Sequence, residues 1–501
     1  MVRGVWVFGL HAHLPEVRDP EVEAPWPLDW VFEAVRDAYV PLLTVFEGWA
    51  RDGLDASVAW SVSPPLLSML QDPDVQRAFV RRQEGSVRLA ERLGHTELAQ
   101  DWKARLRRFE RWDGDLIQVF RRLSQAGVLE LQTTAASHGI LPLLASMDLR
   151  LAAAQIRIGL AEFRARIGHR PAGLWLPECA WSPELEPILA AEAVPVFFVE
   201  AHAASEAVFG TGAPMQCPSG PVAFPRDPKA ALRVWSPDFG FPTRPAYRDF
   251  HSDGSDQVGE WLRVDCGLPP DRRPLGLKVW RVTDRTGGPK RPYVVADAHR
   301  QVDRDVRSFV DGAAADAEAF RAHTGRIPAS SAPFDAELFG HWWYEGPRWL
   351  DRVVRAGLAA GFAVRGPAGV VRSGAPVEVR VPEPSSWGRG GFFQTWIGAE
   401  NAWVQGLVET CSRRLLRWAK HADPDDPAAS SRVEAILDLQ ASDWPFLMRG
   451  EPFREHAAEQ VRRAATRFHR RMAGEVPARP PRFRCADLRA FVLPPSRTYS
   501  A

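Results

Sequence analysis

The segment that decides the fold is "AGLWLPECAWSPELEPILAAEAVPVFFVE", residues 172–200. Its first ten residues are mostly apolar and predict a buried strand, and "VPVFFVE" (194–200) predicts another. Between them, "SPEL" has the pattern of a helix start, with Ser182 as the predicted N-cap and Pro183 at the first helical position. A strand, a helix and a second strand in this order predict a parallel sheet or a barrel of β/α units.

Similar apolar runs occur elsewhere in the chain, and each is followed by polar or aromatic residues. "GVWVFGL" (4–10) and "VLELQTT" (128–134) predict two further buried strands. In a parallel β/α barrel the carboxyl ends of the strands converge on one face, where active sites lie. The residues at the predicted strand ends are His11, His13, His138, Glu178, Trp280 and Asp335. The sequence therefore predicts a functional site built from them.

The remaining segments predict additions to this barrel. Residues 72–126 are charged and have a helical period, which predicts a helical insert, and residues 210–276 predict long loops. "PLGLKVWRVTD" (274–284) predicts a strand, and the chain beyond about 395 is mostly helical in pattern. We therefore predict a catalytic domain of residues 1–385 with the insert at 72–126, and a helical domain of residues 386–501.

The overall composition is that of a soluble globular protein. Of the 501 residues, 45% are hydrophobic and 25% charged, and the formal net charge of +1 favours neither nucleic acid nor an anionic membrane as a partner. The five cysteines are widely spaced, which argues against a disulfide framework and favours the cytoplasm. No stretch has the length of a membrane span or of a signal peptide. The 20 tryptophans against 5 tyrosines are compatible with carbohydrate binding.

Two carboxylates at a barrel mouth suit the cleavage of a glycosidic bond. One attacks the anomeric carbon, and the other protonates the leaving oxygen and later deprotonates the incoming group. Asp335 lies among Phe334, Phe339, Trp342 and Trp343, whose apolar rings could raise the pKa of an acid catalyst. Each carboxylate also has a structural interpretation, because Glu178 could be a capping or ion-paired group and Asp335 could cap a helix over "AELFGHWW".

The histidines at positions 11 and 13 are open to two interpretations. Both imidazoles lie on the same side of the predicted strand, where they could bind a metal ion or hydrogen-bond a sugar. No third ligand stands at a fixed spacing from them. His138 has the further interpretation of a histidine that only stabilises its own loop.

The motifs together resemble those of glycoside hydrolase family 57, most of all its 1,4-α-glucan branching enzymes. The motifs are "HAHLP" (11–15), "SHGILPLL" (137–144), "WLPECAW" (175–181), "KVWRVTD" (278–284), "PFDAELFGHWWYEGP" (333–347), "SSWGRGGFFQTW" (385–396) and "ASDWPFLM" (441–448). They extend over most of the chain. The resemblance implies an α/β fold, a distorted TIM-like (β/α)7 barrel with a helical insert and a C-terminal α-helical domain.

The resemblance also implies roles for individual residues. Glu178 corresponds to the nucleophile and Asp335 to the general acid/base of the family. The substrate-binding candidates are His11, His13, His138, Trp280, Trp387, Trp396, Trp26, Trp30, Trp403, Asp443 and Trp444. The family implies no cofactor and no catalytic metal, and its partner is an α-1,4-glucan such as amylose or a glycogen-like polysaccharide.

The implied reaction is retaining cleavage of an α-1,4 linkage and transfer to a 6-hydroxyl, which makes an α-1,6 branch. The alternatives are an α-amylase or 4-α-glucanotransferase on the same site, a non-catalytic glucan-binding protein and, more remotely, a metal-dependent deacetylase. Some positions depart from the family pattern: Glu16 and Phe241 stand where tyrosines are expected, and Arg389 replaces an acid in "SSWGRGG". These differences concern the handling of the acceptor, which distinguishes a transferase from a hydrolase.

Overall fold

The computed structural model describes residues 2–18, 28–271, 273–283, 289–375, 377–426, 428–477 and 481–494. Its strands are β1 (Val5–Ala12), β2 (Val58–Val62), β3 (Leu129–Thr134), β4 (Leu174–Trp175), β5 (Val196–Val199), β6 (Met215–Gln216), β7 (Val222–Pro225), β8 (Ala329–Asp335), β9 (Ala363–Val364) and β10 (Glu378–Val379). The predicted strands at 4–10 and 128–134 are thus confirmed. The strand predicted at 172–181 is much shorter, because the chain turns at Pro177.

The helices outnumber the strands and alternate with them over most of the chain. They are α1 (Leu28–Ala34), α2 (Val40–Arg51), α3 (Pro64–Leu70), α4 (Pro73–Arg92), α5 (Thr96–Arg111), α6 (Leu116–Gln125), α7 (Leu141–Met147), α8 (Leu149–Ile167), α9 (Glu186–Ala191), α10 (Pro228–Val234), α11 (Glu260–Asp265), α12 (Val295–Thr324), α13 (Gly346–Ala359), α14 (Pro367–Arg372), α15 (Ala402–Ala419), α16 (Ala429–Gln440), α17 (Asp443–Leu447), α18 (Arg454–Met472) and α19 (Arg489–Val492). Among the described residues, none of these helices is long and apolar enough to cross a bilayer.

The chain forms two compact units, each assembled from separate segments. The first unit contains residues 1–58, 69–129 and 227–366, and the second contains residues 59–68, 130–226 and 367–501. In the first unit, β1 is parallel to both β8 and β9. The register between β1 and β8 pairs His11 with Asp335. These two residues therefore lie side by side at the carboxyl ends of their strands.

The strands of the second unit are mostly parallel. The strands β3, β4, β5 and β7 are parallel neighbours in that order, and β6 joins β7 in the antiparallel sense. The strands are buried along their lengths, as is typical of parallel sheets covered on both faces. Because the parallel strands run the same way, the residues that follow them meet at one edge of the sheet.

The insert predicted at 72–126 is helical, as α4, α5 and α6 show. The strand predicted at 274–284 is wrong for the part that is described, because residues 274–283 form no ladder and have only isolated bridges at Trp280 and Arg281. The apolar side chains of this segment have another partner. Leu275 and Leu277 are buried in a core that also contains Trp102 of the insert.

The helices of the second unit form a separate apolar core. Residues of α8, α15, α16 and α18 pack together, and the centre of the cluster contains Ile158, Leu415, Ile436 and Val461. Arg157 of α8 is fully buried and forms an ion pair with Glu192 at 2.8 Å. Its remaining N–H groups donate to backbone carbonyls of Ala490, Leu493 and Pro494, which ties this C-terminal segment to α8.

Candidate active site

Glu178 lies in a tight turn directly after β4. The turn is a 3-10 helix over Pro177–Cys179, and both Glu178 and Cys179 have left-handed backbones, with φ of 59° and 48°. This conformation is uncommon for residues other than glycine and costs of order 1–3 kcal/mol at each position. Strain of this kind is typical of functional sites, where surrounding structure holds a side chain in a fixed direction.

Two hydrogen bonds from Trp387 fix Glu178. The indole Nε1–H donates to the carboxylate Oε2 at 2.5 Å, and the backbone N–H of Trp387 donates to the backbone carbonyl of Glu178 at 3.0 Å. The other carboxylate oxygen lies 3.9 Å from Nδ1 of His138. Donors that face a carboxylate favour its ionised form, which is the form a nucleophile needs.

His138 is also held in a left-handed conformation, with φ of 60°, and its side chain is buried. Its Nδ1 lies 3.0 Å from the hydroxyl oxygen of Ser442, the residue before α17. This contact joins the "SHGILPLL" and "ASDWPFLM" segments. Ser442 was not predicted as a site residue, because a single serine before a helix has no distinguishing pattern.

The ring of Trp387 is itself supported on two sides. Trp175 packs edge-on against it at a centroid distance of 5.6 Å, and the guanidinium of Arg226 lies 5.4 Å from its centroid. Arg226 in turn pairs with Glu200 at 3.1 Å. Glu200 and Arg226 directly follow β5 and β7, so the strand-end pattern that identified Glu178 could have identified them as well.

The loop that carries Trp387 depends on its first glycine. A Cβ on Gly388 would lie 2.7 Å from the ring of Trp396 and 2.9 Å from the backbone oxygen of Phe392. Trp396 is buried against Ile140 and Ala180, beneath this loop. Its ring therefore supports the loop.

Asp335 belongs to a second group of residues, in the first unit. It is the last residue of β8, and its side chain does not cap the short 3-10 helix of Ala336–Leu338 that follows. The alternative interpretation, in which Asp335 caps a helix over "AELFGHWW", is wrong, because the 3-10 helix ends at Leu338 and α13 begins only at Gly346. Next to Asp335 in the sheet, the rings of His11 and His13 stack at 5.8 Å.

Burial determines the charge state of this second group. Burial, with a smaller effect of His13, places the pKa of His11 well below its ordinary value. His11 is therefore neutral at physiological pH and can both donate and accept a hydrogen bond. Such an imidazole suits a sugar hydroxyl.

Glu337 is a buried carboxyl that sequence analysis missed, although it lies two residues after Asp335 in the same motif. Burial and then the charge of Asp335 raise the pKa of Glu337 to about 8. The hydroxyl of Tyr39 donates to its Oε1, and the backbone N–H of His13 also donates to the carboxyl. Tyr39 lies in a short π-helical segment, Val35–Tyr39, that no sequence signal marks.

Gly340 shows why this motif contains a glycine. Its φ is 120°, and a Cβ there would lie 1.8 Å from the backbone oxygen of Asp37. The two tryptophans after it differ in burial. Trp343 is buried among Phe241, Phe339 and Trp349, whereas Trp342 is half-exposed.

The other predicted substrate-binding residues differ in exposure. Trp30 and Trp280 are half-buried in the first unit, and Trp26 lies outside the described residues. In the second unit, Trp403 of α15 is 42% exposed, whereas Trp444 of α17 is buried and packs against His456. Asp443, the first residue of α17, is half-buried.

Two of the departures from the family pattern have clear structural roles. Glu16 forms an ion pair with Arg18 at 2.6 Å. Phe241, which stands where a tyrosine was expected, is buried beside Trp343 and Trp349. Each of these two side chains therefore has partners of its own in this protein.

Comparisons with known proteins give matches in both sequence and overall fold. The sequence model of glycosyl hydrolase family 57 matches residues 7–249. A probable 1,4-alpha-glucan branching enzyme of Mycobacterium tuberculosis is 32% identical, over 91% of this chain and 89% of its own length. The novel α-amylase AmyC of Thermotoga maritima superposes with a TM-score of 0.86 at 28% identity and covers 100% of both chains. A family 57 branching enzyme of Thermococcus kodakaraensis, solved with glucose, gives a TM-score of 0.86 at 26% identity, over 99% of this chain and 98% of its own.

The fold and these similarities define an α/β enzyme of the glycoside hydrolase or glycosyltransferase type, with the (β/α)7 barrel fold predicted from the sequence. The chain belongs to glycosyl hydrolase family 57. The family resemblance drawn from the motifs is therefore confirmed.

Proposed function

We propose that this protein is a 1,4-α-glucan branching enzyme in which Glu178 is the nucleophile and Asp335 the general acid/base. The observation that carries the proposal is the fixed carboxylate of Glu178, held in a left-handed turn and bonded to the indole N–H of Trp387. Relatives over nearly the whole chain that are named branching enzymes support the choice of reaction.

The proposed reaction has two displacement steps. Glu178 attacks C1 of a glucosyl residue, and Asp335 gives its proton to the departing O4, so that the α-1,4 bond breaks and a covalent glycosyl-enzyme forms. The 6-hydroxyl of an acceptor chain then attacks C1 and gives its proton to Asp335, while the bond to Glu178 breaks. Two inversions retain the α configuration and leave an α-1,6 branch.

The histidines and tryptophans would bind the glucan around this reaction. The neutral imidazole of His11 can hydrogen-bond a sugar hydroxyl, and His13 and His138 would act with it at the donor glucosyl residue. Trp387, Trp280 and Trp403 have rings that are not fully buried and could contact sugar faces. The buried Trp396 and Trp444 would support the loop and helix that carry Trp387 and Asp443.

The proposal keeps the wider predictions made from the sequence. It assigns catalysis to a domain of residues 1–385 and a helical, substrate-covering role to residues 386–501. It also places the enzyme in the cytoplasm, where a glycogen-like polymer would be its substrate. Five cysteines without a disulfide among the described residues are compatible with that compartment.

An α-amylase is the second candidate, because AmyC of Thermotoga maritima matches this chain over its full length. The two reactions share the glycosyl-enzyme and differ in whether water or a glucan hydroxyl attacks it. Incubation of the protein with amylose, followed by NMR quantification of α-1,6 linkages and of new reducing ends, separates them. A branching enzyme forms α-1,6 linkages in excess of reducing ends, whereas an amylase forms reducing ends alone.

The nucleophile is tested by Glu178→Gln, which removes the negative charge and keeps the shape. We expect both branching and hydrolysis to fall by roughly 10³-fold or more, since no glycosyl-enzyme can form. Glu184→Gln, an exposed carboxylate six positions further along, is the matched control and should keep full activity. Near-normal turnover by Glu178→Gln would exclude the assignment.

A further inference from the structure

We propose that Arg226 is a positioning residue for the proposed nucleophile, and that it acts on Glu178 through the ring of Trp387. The guanidinium of Arg226 lies 5.4 Å from the centre of that ring, and the indole N–H of the ring donates to the carboxylate of Glu178. All three residues belong to the second unit. The inference rests on the proposed function, since it takes Glu178 to be the nucleophile.

The parallel pairing of β5 and β7 fixes the position of Arg226. The register sets Val199 beside Pro225, the last residues of the two strands. Glu200 and Arg226 come next in the chain, so they leave neighbouring strands at the same end. The backbone N–H of Arg226 donates to the carbonyl of Val199 at 2.9 Å, and its guanidinium pairs with Glu200 at 3.1 Å. The side chain therefore starts from rigid backbone.

Arg226 has few of the contacts that a purely structural arginine makes in this protein. The fully buried Arg157 and Arg263 each donate to three or more backbone carbonyls. The side chain of Arg226 makes one hydrogen bond to the described residues, with Glu200, and its buried Nε–H has no partner among them. Its other partner is the ring of Trp387. These contacts indicate that Arg226 orients the ring.

The attraction between the cation and the ring should keep the indole N–H aimed at Glu178. A guanidinium within about 6 Å of a tryptophan ring attracts it, and more strongly where water is partly excluded. Only 16% of the Arg226 side chain is exposed. The attraction opposes tilting of the ring, and a hydrogen bond weakens steeply as it bends. Loss of Arg226 should therefore weaken the bond from Trp387 to the carboxylate.

The loop that carries Trp387 has a separate support for its backbone. His202, shortly after β5, lies so close to Gly391 that a Cβ there would come 2.7 Å from its ring. The ring of His202 also lies edge-on to Phe392, at a centroid distance of 5.5 Å. These contacts do not involve Arg226. Substitution of Arg226 should therefore loosen the indole ring while the loop stays in place.

The test is a double-mutant cycle in the full-length protein, with initial rates of amylose cleavage as the first readout. Arg226→Met keeps an unbranched side chain and removes the charge. It should lower kcat about 10-fold and change KM by less than about 2-fold, because the loss concerns the attack by Glu178. In the Trp387→Phe background, where no N–H remains to be aimed, the same substitution should change kcat by less than about 2-fold.

Arg432→Met is the matched control. Arg432 also lies on a tryptophan, 4.5 Å from the ring centre of Trp418, and it pairs with Asp426 at 3.0 Å in the same unit. Its substitution removes the same two kinds of contact between α15 and α16 and should leave kcat unchanged. Glu200→Gln is a second variant, which keeps the shape of the side chain, removes the counter-charge of Arg226 and should lower kcat about 3-fold.

A second readout does not depend on turnover. In protein with 15N-labelled tryptophan, the indole signal of Trp387 is the one that Trp387→Phe removes. A strong hydrogen bond moves an indole proton to higher chemical shift, so Arg226→Met should move this signal to lower shift, and Arg432→Met should not. The other tryptophan signals show whether each variant is folded. If Arg226→Met does not fold, Glu200→Gln decides by the same two readouts.

Two results would overturn the inference: equal losses of kcat in both backgrounds of the cycle, or a Trp387 signal that Arg226→Met leaves in place. The proposed function is judged separately, from the linkages that the parent makes. If the parent makes α-1,6 linkages while the losses are equal, positioning by Arg226 is refuted and branching stands. If the parent makes none but the Trp387 signal moves in Arg226→Met and not in Arg432→Met, positioning is supported and branching fails.

Discussion

The carboxylate of Glu178 accepts a hydrogen bond from the side chain of Trp387. The tryptophan was predicted from sequence as a glucan contact, and its indole N–H in fact bonds the carboxylate. Sequence could identify both residues, because they stand in distinctive motifs. It could not predict the bond between them, since 209 positions separate them and no local pattern specifies that contact.

Removal of this bond should change the pH dependence of catalysis. Trp387→Phe keeps an aromatic ring and deletes the N–H donor, so the ionised form of Glu178 loses stabilisation and its pKa rises. We expect the acidic limb of the kcat/KM profile to move to higher pH and kcat/KM at neutral pH to fall roughly 10- to 100-fold. Trp261→Phe should leave the profile unchanged. A lower activity with an unmoved acidic limb would mean that the ring alone matters.

At the level of elements, the sequence predicted the strands that became β1, β3 and β5. The runs that became β1 and β5 are rich in β-branched and aromatic residues, and all three strands are buried along nearly their whole lengths. The prediction failed at 274–283, where the same residue types pack against the helical insert and leave the ladder unformed. An apolar run shows that a segment is buried. Whether the segment forms a strand depends on the element against which it packs.

The contact between the insert and the 266–268 segment depends on Gly85 of α4. A Cβ there would lie 2.8 Å from the backbone oxygen of Cys266 and from a methyl group of Leu268. Gly85→Ala should therefore destabilise the protein by about 1–2 kcal/mol, although alanine is the better helix former. Denaturant unfolding measures this change.

Gly48→Ala in α2 is the matched control, because its Cβ would meet nothing closer than 3.9 Å. This substitution should stabilise the protein by up to about 1 kcal/mol, as helix propensity predicts. If Gly85→Ala stabilised the protein to the same extent, the close packing of α4 on this segment would be contradicted.

The whole molecule is built so that neither compact unit is a continuous stretch of chain. Each unit is assembled from three segments, and α3 and β3 straddle the boundaries between them. The sequence predicted one boundary near 385, where composition changes. Contacts between segments far apart in the chain define the units. The residue composition of a short segment does not reveal such contacts. The domain boundary therefore stays a prediction.

Stability of the whole protein should decrease between mildly acidic and mildly alkaline pH. Burial raises the pKa of Glu345 to about 7, and burial with Asp335 raises that of Glu337 to about 8. The folded state therefore binds these protons more tightly than the unfolded chain does. Their contribution is fully present below about pH 4.5, the ordinary value for glutamate, and is lost as pH rises through 7 to 8.

Thermal unfolding of Glu345→Gln at several pH values tests this. Because glutamine does not titrate, the fall in unfolding midpoint between pH 5 and pH 8 should be smaller than in the parent. Glu184→Gln, which changes an exposed carboxylate, should leave that fall as it is. Identical pH dependence in parent and Glu345→Gln would show that Glu345 does not take up its proton in the folded protein.

The left-handed backbones at His138, Glu178 and Cys179 have a consequence for heating. Each residue would relax to an ordinary conformation if its surroundings loosened, so the rest of the second unit must supply the energy that holds it. Partial softening of that unit would release the side chain of Glu178 before the chain lost its secondary structure. The protein should then lose activity at a temperature some degrees below its unfolding midpoint. The upper temperature limit of its activity would be set by the short turn that carries Glu178, and not by the stability of the barrel.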